Sequence, residues 1–227
     1  MKIISFDIGL KTCSIAVEEY KVDDTIQPPK NKYLKGGDAT EEMKTFVQQI
    51  SLQGHLVHLE KRELGTKQDF FSNKAYKNLY QWCQDLAEHL STSDVILIEQ
   101  QMKCNNIALA LMYHLQAFLL IHYPDTQVVL YPSKNKTRVL GAPLKAPNKA
   151  GVVKKVTKYQ RKKWSTECAE VILKAREQFN FYDYIFKQNK SKKDDLSDVI
   201  MQSLSYMVTK ACKIAWDTVK TTERKIA

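Results

Sequence analysis

Four consecutive apolar residues, Val95-Ile96-Leu97-Ile98, run directly into Glu99-Gln100-Gln101. A strand with one wet face alternates apolar and polar residues. An unbroken run of this kind therefore predicts a strand covered on both faces, as at the centre of an α/β sheet. Ser91-Thr92-Ser93-Asp94 supplies the turn before it, and Cys104 to Tyr123 supplies an apolar helix after it. The run ends in a carboxylate, and a buried strand rarely carries one unpaired, because desolvating it is costly without a partner or a metal.

A second segment repeats that arrangement. Lys2 to Phe6 is apolar and β-branched, ends in Asp7, and turns through Ile8-Gly9-Leu10-Lys11 into the alternating Thr12 to Val17. Taken alone, Asp7 is equally a turn aspartate bonded to its own backbone. Lys21 to Glu42 carries Pro28-Pro29 and Gly36-Gly37 and reads as a long surface loop. Thr45 to Glu60 alternates loosely around Gln53-Gly54 and predicts a hairpin holding the third strand. Gln68 to Leu90 has amphipathic helical spacing, Gln127 to Tyr131 is a short strand, and Ser165 to Phe179 is helical. The predicted class is α/β: a central mixed five-stranded sheet flanked by helices, whose first three strands form a meander. One domain spans 1–227, with a loop insertion at 21–51 and a long basic loop at 132–163.

The charge is unevenly placed. Net charge is +10, yet from Gln127 to Thr166 there is no Asp or Glu. That window holds eleven basic residues: Lys134, Lys136, Arg138, Lys145, Lys149, Lys154, Lys155, Lys158, Arg161, Lys162 and Lys163. Tyr159 and Trp164 flank its last cluster, as stacking on bases or sugars requires. An acid-free basic stretch with interleaved aromatics predicts a nucleic-acid partner held through its phosphates. The candidate contacts are Lys134, Lys136, Arg138, Lys154, Lys155, Lys158, Tyr159, Arg161, Lys163 and Trp164.

The third acidic feature lies near the C-terminus, in Lys192-Lys193-Asp194-Asp195-Leu196-Ser197-Asp198. Leu196, Val199, Ile200, Leu204, Met207, Val208 and Ala211 follow at helical spacing, so the acids occupy a first turn. Asp195 and Asp198, three apart, point the same way. Macrodipole stabilisation accounts equally well for acids at that place. If the strands ending in Asp7 and Glu99 are neighbours and this helix crosses their ends, four carboxylates converge. Such a cluster suits two hard divalent cations, Mg2+ with Mn2+ substituting, in phosphodiester hydrolysis. Asp194, just ahead of the first turn, is expected to cap the helix or support the ligands, and stands as an alternative ligand.

Five scattered cysteines without a Cys-x-x-Cys pair argue against a disulfide framework or zinc site, and His55 and His58 are weak metal candidates. The N-terminus lacks the pattern of a signal peptide, and no segment is long and apolar enough to span a bilayer. A soluble intracellular protein is expected, with no membrane and no nucleotide cofactor.

Phe6-Asp7-Ile8-Gly9, Ile98-Glu99-Gln100-Gln101, Tyr159 to Lys163 and Lys192 to Asp198 together resemble the motifs of poxvirus-type Holliday junction resolvases. These are relatives of bacterial RuvC in the RNase H-like superfamily. The resemblance covers most of the chain and implies a single RNase H-like domain that cuts four-way DNA junctions as a homodimer. It implies Asp7, Glu99, Asp195 and Asp198 as metal-binding catalytic acids, and Lys162 as catalytic lysine with Lys163 in reserve. A chain starting at the first strand favours a viral or otherwise unprocessed protein. If it is viral, its place is the host-cell cytoplasm at sites of viral DNA replication. The 21–51 segment and the basic loop are longer than the family's usual ones. Other expectations are an RNase H-type or general DNA nuclease, a non-catalytic junction-binding protein, or an actin-like ATPase. The last lacks its second glycine-rich loop here, since the chain has seven glycines and no Gly-x-Gly.

Overall fold

Strand β1 (Lys2–Asp7) alternates its side chains between two cores, and this alternation sets the architecture of the molecule. Ile4 and Phe6 face one core with Ile96 and Ile98, while Ile3 faces the other with Val95 and Leu97. The computed structural model describes residues 1–21, 23, 25–35, 37–147 and 152–214. β2 (Cys13–Tyr20) and β3 (Gly54–Arg62) complete an antiparallel meander with β1. β4 (Val95–Gln100) and β5 (Gln127–Pro132) add in parallel on the other side, giving the order β3-β2-β1-β4-β5. This is the α/β, RNase H-like arrangement expected. β4 is buried on both faces through Ile98, as its apolar run predicts.

Helices close both faces. α1 (Glu41–Leu52) packs on one of them. The short α2 (Lys67–Phe71), α3 (Lys74–Asp85), the short α4 (Ala87–Ser91) and α5 (Asn106–His122) lie on the opposite one. α6 (Ser133–Val139) follows β5, and a small hairpin of β6 (Lys145–Pro147) and β7 (Val153–Lys155) leads to α7 (Lys158–Ala175). α8 (Phe179–Asp183), a π turn at Tyr184–Gln188 and a 3-10 turn at Lys190–Lys192 precede α9 (Lys193–Ala211). α9 lies across β1, β2 and β3 on the α1 and α7 side. Among the described residues no helix is long and apolar enough to cross a membrane.

Three expectations need correction. Thr45 to Leu52 is not a hairpin strand but part of α1, so the 21–51 segment is helical from Glu41 onward. The Thr40 side chain caps the helix by accepting from the Met43 N–H, and Met43, Phe46 and Ile50 repeat at helical rather than strand spacing. Gln68 to Leu90 is not one helix. Asn73, in the left-handed region at φ 64°, separates α2 from α3, and Leu86 separates α3 from α4.

The 132–163 stretch is likewise not one long loop but α6, the β6–β7 hairpin and the first turns of α7. Thr157 opens α7 with a capping box, accepting from the Gln160 N–H while the Gln160 side chain accepts from the Thr157 N–H. Thr157→Ala is expected to lower stability by about 1 kcal/mol, read as a drop in thermal midpoint of about 2–4 °C.

Candidate active site

The sheet brings the strand-end acids together. Phe6 pairs with Ile98 across the parallel β1–β4 ladder, so Asp7 and Glu99 leave adjacent strands at the same edge. The Gln101 amide spans them, donating to Asp7 Oδ1 and to the Glu99 carbonyl, each at 3.4 Å. The N-terminal turn of α9 comes over this edge carrying Asp194, Asp195 and Asp198.

At the centre is Lys136, only 5% exposed. Its Nζ lies 3.1 Å from Glu99 Oε2 and 3.3 Å from Asp198 Oδ2. Lys136 was expected on the DNA-contacting surface; the structure encloses it instead. Asn135, Lys136 and Val139 form the buried side of α6, and that helix turns into the core directly after β5. Burial alone would push the ammonium pKa down. Glu99, Asp198 and Asp7 outweigh it and hold Lys136 firmly protonated. Asp198 also accepts from the Ser165 hydroxyl of α7 at 2.8 Å.

Lys162 serves the outer acids. Its Nζ is 2.5 Å from Asp194 Oδ2 and 3.7 Å from Asp195 Oδ1, and Lys192 reaches the other Asp195 oxygen at 3.8 Å. Asp194 is not the N-cap: Lys192 occupies that position, and Asp194 sits inside the first turn facing Lys162. Burial would raise the Asp194 pKa, but the Lys162 hydrogen bond and charge lower it. Asp195 moves up, first through burial and then through repulsion by Asp194, with Lys162 only partly offsetting this. Asp7 moves furthest. Burial first, and Glu99 second, push its carboxyl well above the ordinary range.

The remaining basic residues form an exposed rim. Lys134, Arg138, Lys154, Lys155, Lys158, Arg161 and Lys163 are exposed, and Tyr159 is 77% exposed. Lys163 pairs with Glu167 one turn on rather than with the acids. Trp164 is half-buried against the core, so its ring is partly withdrawn from any base. Lys149 lies outside the described residues.

The donor set suits a hard divalent cation: all-oxygen, anionic and largely enclosed, with the Asp7 pKa raised by burial and by Glu99 and only partly offset by Lys136. Among the described residues no three histidine, cysteine or carboxylate side chains stand placed to hold a metal ion together. The Lys136 ammonium stands between Glu99 and Asp198 and supplies the compensating charge there.

No family model matches the sequence. The chain is 32% identical over 228 residues to the uncharacterized protein 97L of Invertebrate iridescent virus 3, covering 90% of this chain and 98% of that protein. Its fold is similar to that of the fowlpox virus resolvase solved with Holliday junction DNA. The TM-score is 0.54 at 20% identity, over 92% of this chain and 99% of that one. Thermus thermophilus RuvC gives a TM-score of 0.53 at 13% identity, over 92% and 95% of the two chains. The chain thus has the fold of the poxvirus-type, RuvC-like resolvases, and it belongs to the family of the iridescent-virus protein 97L.

Proposed function

We propose that this protein is a divalent-metal-dependent endonuclease that resolves four-way DNA junctions by paired nicking. The observation that carries the proposal is the gathering of Asp7, Glu99 and Asp198, from three separate elements, around one enclosed lysine. Beside them lies a basic rim, on a fold similar to that of a resolvase solved with junction DNA. In this reading Asp7, Glu99, Asp195 and Asp198 hold two Mg2+ ions, with Mn2+ able to substitute. Bound there, the metal would activate the attacking water and stabilise the leaving oxygen.

The chain's own residues do the rest. Lys162, 38% exposed at the rim, is the cation available to charge growing on the scissile phosphate. Asp194 orients Lys162. Gln101 and Ser165 fix the Asp7 and Asp198 carboxylates. The exposed lysines and Arg161 neutralise backbone phosphates, and Tyr159 offers a ring for stacking.

Two sites are needed to cut opposite strands together, so the working unit is a homodimer. Tyr113, Leu120 and Ile121 stand exposed on α5 and give it an apolar face to use. We read the activity as belonging to an infected cell, at sites of viral DNA replication; the kinship with an iridescent-virus protein supports that reading.

The substrate is tested by comparing nicking of a synthetic four-way junction, a linear duplex and an RNA–DNA hybrid. Symmetric paired nicks confined to the junction support the proposal. Preferred cutting of the hybrid would assign an RNase H-type activity instead. Lys154 and Lys155 are both exposed. Replacing both with alanine is expected to lower the salt slope of junction binding by about 2 while leaving thermal stability unchanged.

A further inference from the structure

The β6–β7 hairpin raises a stability question that its own residues do not answer. Each strand has three residues, paired Lys145↔Lys155, Ala146↔Lys154 and Pro147↔Val153. Isolated two-stranded hairpins are marginal even when longer. This one sets like charges directly opposite each other, which destabilises the ladder further. Lys145, Val153, Lys154 and Lys155 are exposed, so burial of these residues does not hold it either.

The Val156 N–H extends the ladder by one bond to the Leu144 carbonyl at 3.0 Å, and a loop more than a hundred residues earlier meets its root. Residues 31–35 and 37–40 fold back on themselves. The Leu34 N–H donates to the Asp38 carbonyl and the Gly37 N–H to the Leu34 carbonyl, both at 2.8 Å, and Tyr33 bridges Ala39. Thr40 then caps α1, which is fixed in the core by Met43, Phe46 and Ile50.

From this base the loop touches the root of the hairpin at several points. The Leu144 N–H donates to Asp38 Oδ1 at 3.1 Å. The Tyr33 hydroxyl donates to the Val139 carbonyl at 3.3 Å. Gly141, at φ 79°, passes so close that a Cβ there would lie 2.8 Å from the Ala39 Cβ. A Cβ on Gly37, at φ 87°, would lie 2.8 Å from Leu144 Cδ1.

We propose that the loop of residues 31–35 and 37–40 is a brace that fixes the angle of the basic β6–β7 hairpin ahead of α7, with Asp38 as its positioning residue for branched DNA. The inference rests on the nuclease reading for its consequence, but not for the brace itself. The hairpin carries Lys145, Lys154 and Lys155. The chain then enters α7 at Lys158 and delivers Lys162 to Asp194 one turn later. A hairpin held at one angle presents its lysines to phosphates in one geometry, which is what distinguishes a junction from a straight duplex. A hairpin free to swing keeps its charge and loses that discrimination. Asp38 touches none of the acids, so its effect is on substrate fit.

The test uses Asp38→Ala, which removes the acceptor, and Asp38→Asn, which keeps one. Amide hydrogen exchange on the full protein without DNA reads the brace directly. Exchange across 144–147 and 153–156 is expected to speed by about three- to tenfold in Asp38→Ala, the loss of one hydrogen bond, with little change in Asp38→Asn. In nicking assays the KM for a four-way junction should rise by a similar factor while kcat holds, and the preference over linear duplex should fall. Unchanged exchange in Asp38→Ala overturns the brace. Faster exchange with an unchanged junction KM overturns its role in specificity. If the unsubstituted protein cuts no junction, the nuclease reading fails and the specificity role fails with it. The exchange result then still decides whether the loop braces the hairpin.

Discussion

Asp7→Asn is expected to slow metal-dependent nicking steeply while making the metal-free protein more stable. Asp7 ends a buried strand, and burial together with the neighbouring Glu99 charge holds its carboxyl well above the ordinary range. An amide of the same shape carries no charge to desolvate, so the fold gains about 1–3 kcal/mol, seen as a rise in thermal midpoint of roughly 2–4 °C per kcal/mol. The pH dependence has a definite sign. A carboxyl whose folded pKa is raised contributes stability below its unfolded value and loses it as pH rises towards the folded value. The advantage of Asp7→Asn should therefore vanish near pH 3.8, the ordinary aspartate value, and grow above it. Activity goes the other way: losing one anionic ligand should slow nicking by about 10³-fold, about 4 kcal/mol of transition-state stabilisation. Calorimetry across pH beside a nicking assay checks both. A variant less stable than the parent at neutral pH contradicts this account of Asp7, and so does one that cuts as fast as the parent.

Lys136→Ala is the largest expected loss of stability. The ammonium is the cation nearest both Glu99 and Asp198, and all three side chains are largely enclosed. Removing one member of a buried pair leaves the remaining charges uncompensated and costs about 3–5 kcal/mol, or roughly 6–20 °C in thermal midpoint. Added Mg2+ or Mn2+ should restore more stability to the variant than to the parent, because the cation enters where the ammonium is missing. Thermal melts with and without metal read both effects. A loss below about 1 kcal/mol would mean that Lys136 does not neutralise the cluster, on the same scale.

The contrast between Lys136 and the acids marks what the sequence could reveal. Glu99 stood out because a charge at the end of Val95-Ile96-Leu97-Ile98 has no bland explanation. Asp7 gained weight by repeating the pattern on a strand that pairs with β4 in parallel. Lys136 stood among ten other basic residues and looked like surface charge. The signal was nonetheless present: Val139 and Leu140, three and four residues on, put Lys136 on the buried face of a helix beginning directly after Pro132. The same kind of oversight hid α1, whose Thr40 cap and Met43-Phe46-Ile50 spacing were obscured by reading alternation across Gln53-Gly54. Contacts such as Asp38 to Leu144 join segments 106 positions apart, and no local pattern encodes them.

In the proposed function these carboxylates form a divalent-metal centre. A crystal grown with Mn2+ and measured for anomalous scattering tests it most directly. The account predicts manganese peaks coordinated by Asp7, Glu99, Asp195 and Asp198, with the Lys136 ammonium moved out of its place between Glu99 and Asp198. Absence of manganese from this edge of the sheet, with Lys136 still paired to Glu99 and Asp198, would contradict it.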